Sequence, residues 1–575
     1  MQAQEMYRKW CEDPYFDEET KKELLAIQLD EKEITERFYK ELEFGTAGLR
    51  GILGAGTNRM NPYTVRKATQ GLANYINKLG EGKRGVCIAY DSRHMSPEFA
   101  QEAARCLAAN RIKAYVFESL RPTPELSFAV REKHAIAGIN ITASHNPSNY
   151  NGYKVYWADG AQITPPHDKG IMDEVKAITD YSTMKTMTLE EAKAKRLYEE
   201  MGEEMDQAYL SEVKKQSLHP EVIKEMGKEL TIVYTPLNGT GNIPVRRVLK
   251  ELGFENVHVV KEQELPDGDF PTVDYPNPES EKAFALALKL AKEKKADLVL
   301  ATDPDADRLG VYVWDAKEQT YHALTGNMSG SLIAEYILNE KEAANGLPQD
   351  GAVIRSIVST HLVDAIAKGH GVRLIEVLTG FKYIGQKILE FEERGKGTYL
   401  FGMEESYGCL AGNYARDKDA VVATMLLCEA AAFYKQQGMT LWDATLKMYE
   451  RYGYYEDSVE SVTMPGKDGL EKIASIMEHL HKEALTCIGD FEVLVQKDYQ
   501  KGSEQDVKTG EIKELTLPKS NVLYYELPED AWVCVRPSGT EPKIKLYYGV
   551  KGSSFEDAKK RKEALKKAAD TLIEG

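Results

Sequence analysis

Residues 86–117 read VCIAYDSRHMSPEFAQEAARCLAANRIKAYVF, and this stretch decides the fold class. An apolar run at 86–90 is followed by the polar loop DSRHMS, a helical segment and a second apolar run at 112–117. Strand, loop, helix and strand in this order form the crossover unit of a mainly parallel sheet. The stretch therefore predicts an α/β domain.

The same order recurs twice further along the chain. One copy runs from a strand at 230–234, through the loop TPLNGTG and a helix, to a strand at 257–260. The other runs from a strand at 352–358, through a helix, to a strand at 372–378. Repetition of one supersecondary plan indicates related structural units. We therefore expect three related α/β domains with mainly parallel, mixed sheets.

Each copy is followed by a further strand that ends in a polar loop. The three loops are SHNPSNYNG at 144–152, DPDADR at 303–308 and GMEESYG at 402–408. Loops on a rigid scaffold are where binding and catalytic residues concentrate. We expect the three loops to face a common centre.

The rest of the chain differs in pattern. Residues 180–220 are rich in Lys and Glu, and their long polar helical pattern predicts a connection between the first two domains. From about residue 460, a helix at 469–485, short strands at 522–526, 532–536 and 544–550 and a closing amphipathic helix at 555–573 predict an α+β domain. The predicted domains are a helical extension (1–42), three α/β domains (43–215, 216–322 and 323–458) and an α+β domain (459–575).

Composition limits the function classes. The chain has 575 residues, 42% hydrophobic and 29% charged, as expected for a globular protein of several domains. Its 74 basic and 91 acidic side chains give a net charge of −17. An acidic surface repels nucleic acid and anionic lipid, so we expect neither as a partner. An anionic small molecule would need a local basic pocket.

Cysteine usage and the N-terminus predict a cytoplasmic protein. The seven cysteines are scattered and form no Cys-x-x-Cys pair, which argues against a disulfide framework and a structural zinc site. The first twenty residues lack the apolar segment of a signal peptide, and no apolar run approaches the length of a membrane span. We expect a monomer or a small homo-oligomer.

Three aspartates alternate in the loop at 303–308. If Pro304 keeps this loop extended, then Asp303, Asp305 and Asp307 project to one side and repel one another unless a cation lies between them. Hard divalent ions prefer such oxygen ligands. The calcium-loop formula of an EF-hand fails, because its sixth position is Arg308 rather than Gly. Three ligands leave coordination positions open, as a catalytic Mg²⁺ site requires.

The loop after Thr142 carries a candidate nucleophile. Ser144 follows a buried strand, with His145 beside it and Lys154 close behind. The chain lacks a G-x-S-x-G elbow at this loop, and His145 is expected to point away from an extended Ser144, so a simple Ser–His dyad is not expected. A turn without chemistry is the alternative. A serine that carries a phosphoryl group and faces a metal accounts for this loop and the aspartate loop together.

Two further loops suit a sugar phosphate. The carboxylates and hydroxyl of GMEESYG match the vicinal hydroxyls of a sugar, and the nearby run at 416–419 is either functional or a solvated charge run. The segment RPSGTEPK at 536–543 combines an arginine fork, hydroxyls and a glycine, which together can cradle a phosphate.

These motifs, with FGTAGLRG at 44–51, resemble the α-D-phosphohexomutase superfamily, and within it the longer phosphoglucomutases. They occur in the family's order and extend over residues 44–549. The resemblance implies three α/β domains and a C-terminal α+β domain around a central cleft. It also implies a cytoplasmic isomerase that acts on small-molecule sugar phosphates.

The resemblance assigns a role to each motif residue. Ser144 is implied to be the phosphoserine, which binds Mg²⁺ together with Asp303, Asp305 and Asp307. The residues implied around the reacting phosphate are Arg50, His145, Lys154 (also the candidate general acid/base) and Arg308. The residues implied to bind the sugar or its second phosphate are Thr379, Gly380, Lys382, Glu404, Ser406, Lys418, Arg536, Ser538, Gly539 and Thr540.

The implied reaction interconverts glucose 1-phosphate and glucose 6-phosphate through a hexose 1,6-bisphosphate, which also serves as activator. Phosphopentomutase or phosphomannomutase activity on the same scaffold is the alternative. Two rivals from other classes are a non-catalytic Ca²⁺- or sugar-binding protein and a metallophosphatase with a serine nucleophile.

Overall fold

The computed structural model describes residues 2–42, 48–464, 466–482, 484–538 and 543–574. The chain divides into two compact units. The first comprises Met1–Ala323, Gly385–Gly395 and Tyr407–Gly438, and the second comprises Leu324–Ile384, Lys396–Ser406 and Met439–Gly575. Among the described residues, no helix combines the length and the apolar character needed to cross a lipid bilayer.

The first unit opens with three short helices, α1 (Gln2–Glu12), α2 (Glu18–Ala26) and α3 (Glu31–Phe38). The side chain of Asp17 caps α2, and that of Asp30 caps α3. Trp10 is fully buried and stacks on Phe16, with ring centroids 4.2 Å apart. The helices therefore enclose an aromatic core of their own.

A six-stranded sheet follows in the order β1-β5-β4-β2-β3-β6. Strands β2, β3, β4 and β6 run parallel, while β5 and β1 form an antiparallel edge. The elements are β1 (Leu49–Ile52), α4 (Pro62–Lys78), β2 (Val86–Tyr90), α5 (Ser96–Ala109), β3 (Ala114–Phe117), α6 (Thr123–Glu132), β4 (Ala137–Ile141), β5 (Tyr150–Trp157), α7 (His167–Lys176), α8 (Leu189–Ala194), β6 (Tyr198–Met201) and α9 (Glu203–Lys214).

Strand β6 interrupts the segment that was predicted as a long polar helical connection. It pairs with β3 at the sheet edge, where Glu199 forms ion pairs with Lys113 and Lys133. An edge strand buries few of its side chains, so this polar strand lacks the apolar alternation that would have identified it. The predicted helical pattern is therefore present in α8 and α9 but is interrupted by this strand.

A five-stranded sheet completes the first unit's repeats, in the order β11-β10-β9-β7-β8. Strand β7 is parallel to β8 and β9, and β10 is antiparallel to β9. The elements are α10 (Pro220–Met226), β7 (Ile232–Thr235), α11 (Asn242–Leu252), β8 (Val257–Val259), α12 (Ala285–Lys294), β9 (Leu298–Thr302), β10 (Leu309–Asp315) and β11 (Thr320–Leu324).

The third repeat is built on β12, which pairs in parallel with β13 on one side and with β14 on the other. The next elements of the chain are α13 (Gly326–Ala343), β12 (Gly351–Ser356), α14 (Leu362–Gly369), β13 (Arg373–Val377), α15 (Phe381–Arg394), β14 (Thr398–Glu404), β15 (Gly408–Ala411), α16 (Ala420–Gln436) and α17 (Leu441–Tyr452).

The C-terminal part is an antiparallel α+β fold in the second unit. Its seven-stranded sheet has the order β16-β24-β23-β22-β19-β20-β21, and β17 pairs with β18. The elements are β16 (Tyr454–Thr463), α18 (Gly466–Lys482), β17 (Cys487–Ile488), β18 (Phe491–Glu492), β19 (Val495–Asp498), β20 (Ser503–Asp506), β21 (Ile512–Glu514), β22 (Leu523–Glu526), β23 (Trp532–Pro537), β24 (Lys543–Gly552) and α19 (Phe555–Glu574).

One apolar cluster joins the third repeat to this sheet within the second unit. Ile357 and Leu378 from the third repeat are buried together with Trp532 and Tyr547 from the sheet. Next to this cluster, His361 lies 2.9 Å from the Tyr524 hydroxyl. The overall architecture, three α/β repeats and a C-terminal α+β fold, confirms the predicted fold class.

Candidate active site

The aspartate loop is a turn between β9 and β10. Ala306 has a left-handed φ of 50°, and Asp303 Oδ1 accepts hydrogen bonds from the backbone N–H groups of Asp307 and Arg308, both at 3.1 Å. The sequence predicted an extended loop, and this prediction was wrong. The Asp303 carboxylate instead holds the loop in a turn. The three aspartates converge all the same: ligand oxygens of Asp303, Asp305 and Asp307 lie within 4.8 Å of one another.

The aspartate triad is buried, and two of its carboxylate oxygens have no hydrogen-bond donor among the described residues. Burial and the charges of the other two carboxylates raise the pKa of Asp303 well above its usual range. The Oδ1 atoms of Asp305 and Asp307 are buried and have no hydrogen-bond partner among the described residues. Buried carboxylate oxygens without hydrogen-bond donors are costly unless a cation compensates their charge. These three carboxylates therefore fit a hard divalent ion such as Mg²⁺.

Ser144 lies directly against this triad. Its Oγ donates to Asp303 Oδ2 at 2.8 Å and lies 3.1 Å from His145 Nδ1. Ser144 has a left-handed φ of 51°, and its backbone N–H donates to Thr142 Oγ1 at 2.8 Å. The prediction that His145 points away was wrong, because it assumed an extended serine. The serine loop of the first repeat and the aspartate loop of the second repeat form one site.

Two lysines neutralise part of the negative charge. Lys154 Nζ lies 2.9 Å from Asp305 Oδ2, and Lys418 Nζ lies 3.3 Å from Asp307 Oδ2. Gly408 has no room for a side chain, because a Cβ there would meet Lys418 Cδ at 2.0 Å. These contacts bring the predicted residues Lys154 and Lys418 into the site.

Two arginines border the serine loop and the aspartate loop. Arg50 Nη1 donates to Asn146 Oδ1 at 3.0 Å, and Arg308 Nη1 donates to Glu279 Oε1 at 2.5 Å. Burial and the positive charges of Arg308 and Arg50 lower the pKa of His145 well below its usual range. The imidazole is therefore neutral at this site.

Arg50 lies on strand β1 rather than in a glycine-rich loop. It pairs with Gly152 on β5. A Cβ at Gly152 would meet the carbonyl oxygen of Thr142 at 2.4 Å, so only glycine allows β5 to pass this close to the serine loop. Residues 44–47 of the motif FGTAGLRG lie outside the described residues.

Thr123 is a site residue that sequence reasoning missed. Its N–H donates to the Asp305 carbonyl oxygen at 2.9 Å, and its Oγ1 donates to Asp305 Oδ2 at 2.7 Å. Asn140 Nδ2 in turn donates to Thr123 Oγ1 at 2.6 Å. Thr123 begins α6 before Pro124, and this pattern reads as an ordinary helix start. Nothing in the sequence separates the two roles.

The charged run at 416–419 is buried rather than solvated. The side chains of Arg416, Asp417 and Asp419 are buried, and Asp419 Oδ2 accepts hydrogen bonds from the Tyr209 and Tyr414 hydroxyls. The alternative reading of a solvated charge run was therefore wrong. The buried run fixes the backbone on either side of its lysine.

The second unit brings together Glu404 and the segment at 379–382. Glu404 ends β14, and its Oε1 accepts a hydrogen bond from Gly380 N at 2.7 Å. Gly380 has a positive φ of 120°, and Lys382 lies in the first turn of α15, with most of its surface buried. The hydrogen bond holds Thr379 and Gly380 against the end of β14.

Glu405 and Ser406 follow β14. Glu405 Oε2 accepts a hydrogen bond from Ser356 Oγ at 3.1 Å, and burial together with the charge of Glu404 raises the pKa of Glu405 to about 7. Ser406 is partly exposed beside them. Two adjacent carboxylates thus occupy different environments.

The C-terminal sheet carries the predicted phosphate cradle on the hairpin of β23 and β24. Arg536 lies on β23 opposite Lys545, and Ser538 N donates to the Lys543 carbonyl oxygen at 2.8 Å. Gly539 and Thr540 lie outside the described residues.

Models of one protein family match four successive parts of the chain. The phosphoglucomutase/phosphomannomutase models match residues 41–182 (alpha/beta/alpha domain I), 207–316 (domain II), 325–452 (domain III) and 510–567 (C-terminal domain).

Similar proteins extend over nearly the whole chain. A phosphoglucomutase from Staphylococcus epidermidis is 37% identical over 553 residues, which cover 96% of this chain and 98% of that protein. A phosphoglucomutase from Staphylococcus aureus is 36% identical over 546 residues, covering 94% and 95%.

Solved structures share the fold at lower identity. Parafusin, a phosphoglucomutase from Paramecium, has a TM-score of 0.67 at 17% identity, covering 92% of this chain and 96% of that one. A phosphoglucomutase/phosphomannomutase family protein from Burkholderia thailandensis has a TM-score of 0.63 at 18% identity, covering 92% and 98%.

Proposed function

The chain belongs to the phosphoglucomutase/phosphomannomutase family, and from this premise we propose that it interconverts glucose 1-phosphate and glucose 6-phosphate. It is an enzyme of the isomerase class. The nearly full-length relatives are named phosphoglucomutases, which favours glucose phosphate over the mannose or pentose phosphates as substrate.

One observation carries the mechanism: Ser144 Oγ donates to Asp303 Oδ2 at 2.8 Å. A hydroxyl that meets a buried carboxylate triad in this way is in place to carry a phosphoryl group beside a metal. A non-catalytic Ca²⁺- or sugar-binding protein has no use for such a serine.

The chemistry follows from the groups around Ser144. The free hydroxyl of the sugar phosphate attacks the phosphorus of phospho-Ser144, and the bond from that phosphorus to Ser144 Oγ breaks. We assign Lys154, held at 2.9 Å from Asp305, as the general acid/base. It starts this step as a neutral amine, takes up the proton of the attacking hydroxyl and, as the resulting ammonium, passes it to the departing Ser144 Oγ; the reverse transfer moves the same proton back. The product is hexose 1,6-bisphosphate, whose other phosphoryl group then returns to Ser144.

The metal and the basic groups serve this transfer. Asp303, Asp305 and Asp307 would hold Mg²⁺, which withdraws electron density from the phosphoryl oxygens when it is bound. Arg50 and Arg308 supply fixed positive charge to the transferring group, and neutral His145 offers a hydrogen bond to it without adding charge. Lys418 holds the Asp307 carboxylate.

We assign substrate recognition to the second unit. Glu404 and Ser406 would bind sugar hydroxyls, next to the segment of Thr379, Gly380 and Lys382. Arg536, Ser538, Gly539 and Thr540 would bind the phosphate that does not react. Hexose 1,6-bisphosphate would act as activator by phosphorylating Ser144. We propose a cytoplasmic enzyme that works as a monomer or a small homo-oligomer.

The test is the phosphoserine itself. Intact mass of the purified protein should show a fraction with one phosphate, mapped to Ser144, and glucose 1,6-bisphosphate should reactivate the dephosphorylated form. Ser144→Ala should abolish turnover, whereas Ser148→Ala, a change in the same loop, should not. Near-normal rates for Ser144→Ala at saturating bisphosphate would refute the assignment. Inorganic phosphate as the main product would indicate a phosphatase instead.

A further inference from the structure

Arg93 lies in the loop between β2 and α5, and its side chain has no exposed surface. Neither the phosphoryl transfer nor the binding of the sugar uses this residue directly. A fully buried arginine is costly unless most of its donors are engaged. Nε has no hydrogen-bond partner among the described residues and lies beside the Asp91 carboxylate, whereas both Nη atoms are hydrogen-bonded. The partners of its guanidinium therefore indicate what it does.

Those partners are the backbone carbonyl groups of the serine loop. Nη2 donates to the carbonyl oxygens of Ser144 and Asn146, both at 2.5 Å. Nη1 donates to the carbonyl oxygens of Pro147, at 2.8 Å, and Tyr150, at 3.2 Å. One side chain thus fixes the loop from its catalytic serine to the first residue of β5.

Asp91 and Phe270 hold the guanidinium in place. Asp91 Oδ1 accepts hydrogen bonds from Arg93 N, at 3.0 Å, and Ser96 Oγ, at 2.8 Å, while Asp91 Oδ2 lies 3.4 Å from Arg93 Nε. The Phe270 ring, from the second repeat, lies 5.1 Å from the guanidinium carbon. The guanidinium is therefore fixed along its edge and across its face.

We propose that Arg93 is a positioning residue for phosphoryl transfer: its fork holds the serine loop in the left-handed turn that directs Ser144 Oγ at Asp303. This inference rests on the proposed function of Ser144. Only arginine presents five donors in a rigid planar fork, and a lysine ammonium is a single point that does not reach four separated carbonyl groups. The nature of the side chain, and not only its charge, is required.

The experiment compares Arg93→Lys with Arg59→Lys in the full-length protein. Arg59 is a buried arginine of the same domain that donates to backbone carbonyl groups away from the serine loop, those of Glu36 and Asn58. We expect Arg93→Lys to lower kcat for glucose 1-phosphate by about ten- to a hundredfold, with little change in KM. Phosphorylation of Ser144 by glucose 1,6-bisphosphate, followed by intact mass, should slow by a similar factor. Arg59→Lys should leave both rates unchanged.

Asp91→Asn is the second variant, because it loosens the guanidinium without removing it. It should give a smaller decrease in kcat in the same direction. A folded Arg93→Lys protein with wild-type kcat and phosphorylation rate would overturn the inference. Failure of both variants to fold would also overturn it, since the pair would then serve the fold rather than the site. Wild-type protein that never carries phosphate on Ser144 would instead refute the proposed function on which the inference depends.

Discussion

Ser144 adopts a backbone conformation that a residue with a side chain ordinarily avoids. A left-handed φ costs such a residue roughly 1–2 kcal/mol. The Thr142 hydroxyl, the Arg93 guanidinium and the Asp303 carboxylate each accept from or donate to Ser144, and together they offset that cost. Strain held by several contacts at one residue is typical of a functional site. Here it directs the hydroxyl into the aspartate triad.

The first prediction concerns the triad. Asp305→Asn removes one charge with little change in volume, so the fold should remain intact while the site loses a ligand. Loss of a group that hydrogen-bonds to a metal ligand typically lowers metal affinity by about 10- to 100-fold, and loss of a ligand itself should cost at least as much. We expect at least that loss in Mg²⁺ affinity by isothermal titration calorimetry, with a matching fall in turnover.

Asp297→Asn is the matched control. Asp297 immediately precedes β9 and pairs with Lys435 at 2.8 Å, much as Asp305 follows β9 and pairs with Lys154 at 2.9 Å. The control should keep wild-type Mg²⁺ affinity. Unchanged affinity in Asp305→Asn, or full activity in excess EDTA, would remove the triad from the mechanism.

The identities of the site residues were predictable from the sequence, but the directions in which their side chains point were not. The alternating aspartates, Ser144 and Lys154 stand in short motifs whose composition already indicates metal and phosphate chemistry. The positive φ of Ser144 is stabilised by a contact with the Asp303 carboxylate, 159 residues away. The positive φ of Ala306 depends on how the aspartate loop folds. Contacts across such separations leave no local pattern in the sequence. Thr123 escaped notice for the same reason, since its partner Asp305 lies 182 residues further on.

At the scale of elements, strand β16 carries a carboxylate that titrates near neutrality. Asp457 Oδ1 is buried and has no hydrogen-bond partner among the described residues. Burial raises the pKa of Asp457 from 3.8 to about 7, a hydrogen bond with Thr360 works against this shift, and the charge of Glu456 adds to it. The strand is therefore most stable with this side chain protonated.

The second prediction follows from the sign of that shift. Because the folded-state pKa lies above the unfolded value, the stabilising contribution is complete below about pH 4 and is lost as the pH rises through 7. Asp457→Asn does not titrate, so it should gain stability over wild type between pH 5 and pH 8. The gain should be on the order of 1–3 kcal/mol, seen as a rise in Tm relative to wild type.

The control for this experiment is Asp506→Asn, which changes a partly exposed aspartate of the same domain whose pKa is lowered by hydrogen bonds from Thr509. Its difference in Tm from wild type should be the same at pH 5 and pH 8. A pH-independent difference for Asp457→Asn as well would show that its carboxylate is ionised throughout.

The elements that sequence reasoning found and missed differ in burial. Strand β2 has the predicted bounds, and all but its last residue are buried, so its apolar run stands out from its surroundings. Strand β6 is a polar edge, and β20 and β21 have no buried residue. Hydrophobic periodicity in a sequence indicates an element with one buried face. A strand that is held mainly by backbone hydrogen bonds and ion pairs does not show this periodicity.

At the scale of the whole molecule, the proposed reaction would use residues of both compact units. Ser144 and the aspartate triad belong to the first unit, whereas Glu404 and Arg536 belong to the second. A bisphosphate has two phosphates, and each must serve in turn as the transferred group and as the bound one. The proposed reaction therefore requires a reacting site and a separate phosphate-binding site, to which we assign Arg536, and both must act in each half-reaction.

Arg536→Ala tests that division of labour. Hydrogen bonds to charged groups contribute about 1.5–3 kcal/mol, so loss of this arginine should raise KM for glucose 1-phosphate roughly ten- to a hundredfold. Because the phosphate-binding site is needed through both transfers, the bisphosphate intermediate should also leave the variant before its second transfer. Glucose 1,6-bisphosphate should then accumulate as a product of the variant and not of wild type, which chromatography of the reaction mixture would detect. The control is Lys551→Ala. Lys551 is a basic residue of β24 that lies near the opposite end of the strand from Lys545, the residue that pairs with Arg536. This variant should leave both KM and the product unchanged. If Arg536→Ala kept the wild-type KM and released no bisphosphate, Arg536 would be part of the hairpin's structure alone, and the phosphate-binding site would have to be sought elsewhere in the second unit.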